Sequence, residues 1–187
     1  MFAWLQRFRR ERALPENPTA PVRVDFEGTV VSPNNVPSPV SDFVSSLIEI
    51  ALYDHTVRND ADIFRAGESP DGEHFTLLGE VRLGSLVVRD DSGRDLHIED
   101  ASIVKVVPLS TRPIPLDSPL TGALAEIAKT SRHILMVRET RFRSTDTVRV
   151  RATVAMRERP VAGGYRDTFE RILVPIAGEP LVLREML

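Results

Sequence analysis

The sequence predicts a mainly β fold (a β-rich α+β chain), built as an antiparallel meander or a barrel-like sheet. Three patterns predict it. Within short segments, apolar and polar residues alternate at every second position. Turn-forming residues separate these segments at short intervals. Helical apolar spacing is clear only in residues 118–131, so we expect one or two short internal helices besides an N-terminal amphipathic helix.

Three regions follow each other along the chain. We expect an amphipathic basic segment over residues 1–14, a proline-rich linker over 15–21 and a single domain over 22–187. Of the 187 residues, 42% are hydrophobic, which is enough to bury a sizeable core. The first strand begins at Val22, with Val22, Val24 and Phe26 on one face.

Residues 40–54 fit both a helical stripe and a strand alternation. We prefer a helical turn over 39–44 followed by a strand, and the alternative stays open. Residues 58–74 predict an exposed loop, and Gly79 and Gly84 predict kinks in the strands that follow. The remaining strands are expected in residues 74–81, 84–90, 94–100, 102–109, 133–142, 145–156, 167–176 and 181–184.

The internal helix has recognisable start signals. Asp117 or Ser118 can cap it, and Pro119 suits its first turn. Leu120, Ala123, Leu124 and Ile127 then form an apolar stripe along the predicted helix.

Composition excludes several classes of function. The chain has 24 basic and 27 acidic residues, a net charge of −3 and only 6% aromatic residues, so no nucleic-acid partner is expected. The absence of cysteine excludes disulfides, thiolate metal sites and a cysteine nucleophile, and it fits a reducing compartment. With neither a bilayer-length apolar segment nor a signal-peptide core, we expect a cytoplasmic location.

No motif predicts catalysis or metal binding. The four histidines, His55, His74, His97 and His133, lack metal-ligand spacing. His97 with Glu99 and Asp100 comes nearest to a metal cluster, but a solvated strand edge is the favoured interpretation. Asp90 and Asp91 could form a carboxylate pair, yet they precede Ser92-Gly93 and favour a turn. We therefore expect no catalytic residue, no metal, no cofactor and no enzymatic activity.

Two groups of residues predict contacts with a partner. The N-terminal segment combines apolar and basic side chains that suit an anionic membrane surface, namely Phe2, Trp4, Leu5, Arg7, Phe8, Arg9, Arg10 and Arg12. A helix docked on the domain or a free tail would explain this segment equally well. Arg149 and Arg151 share a strand face that could bind an acidic partner. The favoured alternative is a solvated face neutralised by Asp146, Glu158, Asp167 and Glu170.

Three ordered stretches resemble the GIDE domain, also called BAM for "beside a membrane". They are SPVSDFVSSLIEIALYD, LVVRDDSGRDLHIEDASIVKV and VRETRFRSTDTVRVRATV. The family has glycine where this chain has Asp42, Thr145 and Ala152, and often cysteine at Ser45. The resemblance implies a β-rich domain beside a membrane. Without cysteine there is no RING finger, so the ubiquitin-ligase activity of some relatives is not implied here.

These observations lead to one leading hypothesis and two rivals. We expect a non-catalytic interaction domain that binds an unidentified protein partner and works in the cytoplasm, at the inner face of a membrane. The first rival is a small β-barrel that binds a ligand or a nucleic acid. The second is an enzyme whose site is assembled from scattered residues around His97 and Asp90.

Overall fold

The computed structural model describes residues 20–57, 73–98, 104–109, 112–160, 169–176 and 178–186. They form two main sheets, a two-stranded hairpin and a short helix. In chain order the elements are β1 (Val22–Val30), β2 (Val36–Pro37), β3 (Val44–Ser45), β4 (Leu47–Val57), β5 (Glu73–Gly84), β6 (Leu86–Asp90), β7 (Asp95–Ile98), β8 (Val104–Val107), β9 (Ile114–Pro115), α1 (Gly122–Ala128), β10 (Ile134–Phe142), β11 (Thr147–Pro160), β12 (Phe169–Pro175) and β13 (Leu181–Glu185). The mainly β prediction is confirmed.

Five strands close into a barrel. Their order is β1-β6-β7-β12-β11, and β11 returns to β1 with antiparallel pairs from Val22↔Val154 to Thr29↔Thr147. The barrel-like alternative is therefore the correct one, because this order is not that of a sequential meander. β13 pairs with the first half of β11 and β8 pairs with β13, which extends the sheet beyond the ring. The β12–β7 and β13–β8 pairs are parallel, whereas the sequence predicted an antiparallel arrangement throughout.

Strand alternation fills the barrel with aliphatic side chains. Along β1 every second residue from Val24 to Val30 is buried, so the face predicted for this strand is confirmed. β11, β13 and β8 contribute alternate residues in the same way. The core residues on these strands are Val24, Phe26, Val30, Val104, Val106, Val148, Val150, Ala152, Val154, Leu181 and Leu183. The residues between them point outward.

A second sheet packs beside the barrel in the order β5-β4-β10-β9. One face of it carries Ile48, Ile50, Leu52 and Val137, which pack against Leu124 of α1. The other face reaches the barrel core through Leu47 and Phe142. β4 is thus buried on both faces over 47–52, which explains why its periodicity was ambiguous.

The strand alternative is correct for residues 47–57, and the helical turn predicted over 39–44 is wrong. Ser38 Oγ accepts hydrogen bonds from the backbone N–H groups of Val40 (3.1 Å) and Ser41 (3.2 Å), as at a helix start. The chain then bends into β3, which pairs with β2. A Ser-Pro pair here begins a turn that no helix follows.

Gly84 sets the junction between the two sheets. Its φ of +91° is left-handed, and a Cβ at this position would collide with the carbonyl oxygen of Ser46. The kink predicted at Gly84 is confirmed. Around Gly79 the β4–β5 register shifts between Leu52 and Tyr53, which is a bulge.

The helix is shorter than predicted. α1 begins after Thr121, which has extended backbone angles, and Gly122 has a φ of +58°. The predicted caps Asp117 and Ser118 and the predicted first-turn position of Pro119 are therefore wrong. Leu116 and Leu120 still pack against the same cluster as the helix, but from the preceding loop. The predicted N-terminal helix over 1–14 and most of the predicted 58–74 loop lie outside the described residues.

Thr145 occupies a strained position in the turn between β10 and β11. Its φ is 83°, a conformation that β-branched residues rarely adopt, while its N–H donates to the carbonyl oxygen of Val30 at 2.8 Å. Replacing Thr145 with glycine should raise the free energy of unfolding by about 1 kcal/mol, because the relief of left-handed strain exceeds the extra entropy that glycine has in the unfolded chain. Urea unfolding followed by circular dichroism measures the change. Thr147→Gly, within β11, is the control and should destabilise; a loss of stability in Thr145→Gly would contradict the prediction.

Candidate functional site

Cations gather on the outer wall of the barrel. Because alternate residues of β1, β11, β13 and β8 fill the core, the intervening residues point outward. The basic face is defined as the charged members that lie where β11 pairs with β1 and β13, together with Lys105 of β8: Arg23, Asp25, Glu27, Lys105, Arg149, Arg151 and Arg184. The five cations outnumber the two carboxylates, so this surface is positive although the whole chain carries −3.

Asp25 holds the two arginines that the sequence predicted as partner-binding. Arg149 donates to it from Nε (2.7 Å) and Nη2 (3.1 Å), and Arg151 Nη2 donates at 3.1 Å. The hydrogen bond from Arg149 is the main reason why the pKa of Asp25 is lowered, although burial opposes it. One carboxylate thus accepts hydrogen bonds from two guanidinium groups, and these three groups together keep a net positive charge.

Of the four acids expected to neutralise these arginines, the structure describes Asp146 and, in β12 opposite Arg159, Glu170. Asp146 accepts a hydrogen bond from the backbone N–H of Arg143 at 2.7 Å and belongs to the turn before β11. Asp167 and the side chain of Glu158 lie outside the described residues. Asp25 was missed because it is 124 residues from Arg149 in the chain, and only the β1–β11 register brings the two together.

The other three cations of the basic face have no ion pair within the described ranges. Arg23, Lys105 and Arg184 are all exposed. Arg184 lies directly opposite Arg149 across the β11–β13 ladder, and like charges in this position repel. A surface with unpaired, mutually repelling cations can be stabilised by an anionic partner.

The N-terminal segment precedes β1 in the sequence. The predicted membrane-contact residues, Phe2, Trp4, Leu5, Arg7, Phe8, Arg9, Arg10 and Arg12, lie outside the described residues. β1 begins at Val22, and Arg23 is its first outward residue. Seven residues of sequence, 15–21, separate residues 1–14 from β1.

Asp90 organises a turn, as the sequence predicted. Its carboxylate accepts hydrogen bonds from the Ser92 N–H (2.9 Å), the Ser92 hydroxyl (2.6 Å) and the Arg94 N–H (3.0 Å). Burial raises the pKa of Asp90, but the hydrogen bonds from Ser92 and Arg94 outweigh it and leave the pKa lowered. Gly93, with a φ of +80°, completes the turn. A carboxylate held in this way has a structural role.

One histidine lies in the barrel sheet and the other three lie at one end of the second sheet. His97 is in β7, opposite Val87, while Glu99 and Asp100 of the suggested metal cluster lie outside the described residues. His55 stacks on Phe75 with ring centroids 4.8 Å apart, and His133 Nδ1 is 3.1 Å from Asp54. Over the residues that the structure describes, no three His, Asp or Glu side chains are grouped to hold a metal ion.

A buried charge cluster was missed by the sequence interpretation. Glu49, in the middle of β4, is 2% exposed and accepts a hydrogen bond from Arg82 Nε at 2.8 Å. Arg82 also pairs with Glu80, and Arg138 Nη2 is 3.9 Å from Glu49. Burial raises the pKa of Glu49 and outweighs the opposing effect of Arg82 and Arg138. The available signal was a single acid inside the apolar run from Leu47 to Leu52.

No helix in the described part of the chain is long and apolar enough to cross a bilayer.

Compared with known proteins, the chain matches no protein-family model, no curated protein sequence and no solved structure.

Proposed function

We propose that this chain is a non-catalytic interaction domain that binds an anionic membrane surface through its basic face and its N-terminal segment. The observation that carries the proposal is the cationic surplus on the outward side of β1, β11, β13 and β8. The resemblance to domains that lie beside membranes supports the same function. The cytoplasmic face of a membrane is the expected location, since anionic lipids concentrate there.

The expected binding energies favour weak, reversible membrane binding that needs two contributions, one from the basic face and one from the N-terminal segment. A cation near an anionic leaflet contributes about 1 kcal/mol, so the unpaired Arg23, Lys105 and Arg184 contribute about 3 kcal/mol together. Such a sum gives only marginal binding. The aromatic and basic side chains of residues 1–14 would supply the second contribution.

Reversing two exposed charges tests the basic face. Arg23→Glu with Arg184→Glu should weaken binding to phosphatidylserine-containing vesicles about thirtyfold, because the loss of two cations costs about 2 kcal/mol. Vesicle flotation measures the bound fraction. Lys129→Glu with Arg132→Glu makes the same charge change at the end of α1, which packs on β5 and β4, and should bind like the unmodified chain. If both double variants bind equally well, the basic face is not the membrane contact.

A second arm of the experiment separates the contribution of the N-terminal segment from that of the basic face. A chain lacking residues 1–14 should float less than the full chain on anionic vesicles and equally little on phosphatidylcholine vesicles. Equal flotation of the full and shortened chains on anionic vesicles would remove the N-terminal segment from the proposal.

Barrel closure favours a second candidate function, the binding of a nucleic acid by a small β-barrel. Against it, none of the described outward residues of β1, β11, β13 and β8 is aromatic, so this wall offers no platform on which bases could stack. We expect no salt-dependent shift of single-stranded DNA in a gel mobility assay. A shift abolished by Arg23→Glu with Arg184→Glu would favour this second candidate.

A further inference from the structure

A cavity of about 370 Å³ lies between the second sheet and the extension of the barrel. Glu49, Arg82 and Arg138 line it from the sheet side. The opposite wall is formed by Val104 and Val106 of β8 and by Pro180. Its volume is near the lower end of the range for small-molecule sites, which is about 300–1,000 Å³.

The edge of β8 contributes backbone to this cavity. Residues 104–106 all line it, although neighbouring side chains of a strand point to opposite faces, so the backbone must be part of the wall. β8 is also the last strand of its sheet, and its second edge has no strand partner among the described residues. Backbone polar groups at such an edge can bind a polar ligand.

Arg138 is the partly buried cation of the cavity without a hydrogen-bonded counterion, and the exposed Lys105 lines the cavity as well. Arg82 is engaged by both Glu49 and Glu80. Arg138 Nη2 is 3.9 Å from Glu49, beyond hydrogen-bond distance, and its Nε is buried with no partner. The guanidinium lies over the Tyr53 ring, 5.5 Å from its centroid, which orients the group. The Arg138 side chain is 25% exposed, so other N–H donors of its guanidinium remain open to a ligand acceptor.

We infer that this cavity binds a small aliphatic monocarboxylate, with its carboxylate on Arg138 and its apolar body against Val106 and Pro180. The planar guanidinium matches a carboxylate with two parallel hydrogen bonds. Glu49 and Glu80 repel further negative charge, so a singly charged anion fits better than phosphate. The inferred anchor of the ligand, Arg138, lies on the second sheet and not on the basic face, although Lys105 belongs to both.

Butanoate is a suitable probe, and amide-resolved NMR titration of the full chain measures its binding. We expect saturable shifts of residues 104–106 and Arg138 with a dissociation constant of about 1 mM. n-Butylammonium and inorganic phosphate, added separately, should bind at least about tenfold more weakly, since one has the wrong charge and the other meets two carboxylates.

Two variants and a control complete the experiment. Arg138→Gln should weaken butanoate binding at least about tenfold, because the charge-assisted hydrogen bonds are lost. Arg141→Gln, on the same strand but the opposite face, should leave it unchanged. Should Arg138→Gln fail to fold, Pro180→Trp at the exposed rim narrows the cavity and should weaken binding similarly. No saturable binding by the unmodified chain, equal binding of butanoate and butylammonium, or full affinity in a folded Arg138→Gln or Pro180→Trp would overturn the inference.

Discussion

Replacing Phe142 with alanine should lower the free energy of unfolding by about 3–5 kcal/mol. Phe142 is fully buried and ends β10, where the second sheet enters the barrel core. It lies directly opposite Leu47, and its carbonyl oxygen accepts a hydrogen bond from the Ser46 N–H at 2.9 Å. The cavity left behind would lie where the two sheets meet, and surrounding side chains held by two sheets cannot easily collapse into it.

Urea unfolding followed by circular dichroism measures this loss. Ile134→Ala is the matched control, because Ile134 is at the other end of the same strand and is 60% exposed. Its effect should stay within about 0.5 kcal/mol. Similar losses in the two variants would show that Phe142 does not connect the sheets as the structure indicates.

Replacing Glu49 with alanine should cost about 3–5 kcal/mol, because it leaves Arg82 and Arg138 beside a cavity without their shared carboxylate. Glu49→Leu combined with Arg82→Met should lower the free energy of unfolding much less than Glu49→Ala alone, since the double variant removes both desolvated charges of the pair. Chemical denaturation of the single and double variants measures the difference. A double variant as unstable as Glu49→Ala would contradict this account of the cluster.

The pH dependence of stability tests the same residue with a defined sign. Burial raises the folded-state pKa of Glu49 above 4.5, so the folded chain binds this proton more tightly than the unfolded chain. The stabilising contribution is therefore complete below pH 4.5 and is lost as pH rises through the raised folded pKa. The charged groups around Glu49 are Glu80 and Arg82 of β5, Arg138 of β10 and Lys105 of β8. Relative to Glu49→Gln, the unmodified chain should lose stability with rising pH over this window, and a gain would contradict the assignment.

The two proposals concern surfaces that share Lys105 but differ in their electrostatics. The basic face is open, and salt screens its charges over about 10 Å, so membrane binding should weaken steeply with ionic strength. The cavity is partly enclosed, and its charges are screened much less. The two kinds of binding can therefore be separated by salt as well as by variants.

Features that depend on neighbours in the chain could be predicted from the sequence. The inward face of β1, the Asp90–Gly93 turn and the kink at Gly84 are local, because alternation, turn chemistry and backbone freedom act over a few residues. The predicted start of the helix was wrong because it, too, was based on local residues alone. Ser118-Pro119 satisfies a local rule, while the packing of Leu120 from the loop and the left-handed Gly122 delay the helix to residue 122.

By itself, the sequence determined the β-rich class, the positions of most of the longer strands and the inward face of β1, since a two-residue period is a local property. Only the tertiary structure decided which strands are neighbours. Strand order placed Asp25 beside Arg149, joined cations from four separate segments into the basic face, and set Arg138 against β8. The physical reason is that pairing depends on long-range burial and register, which apolar alternation leaves undetermined among so many similar strands.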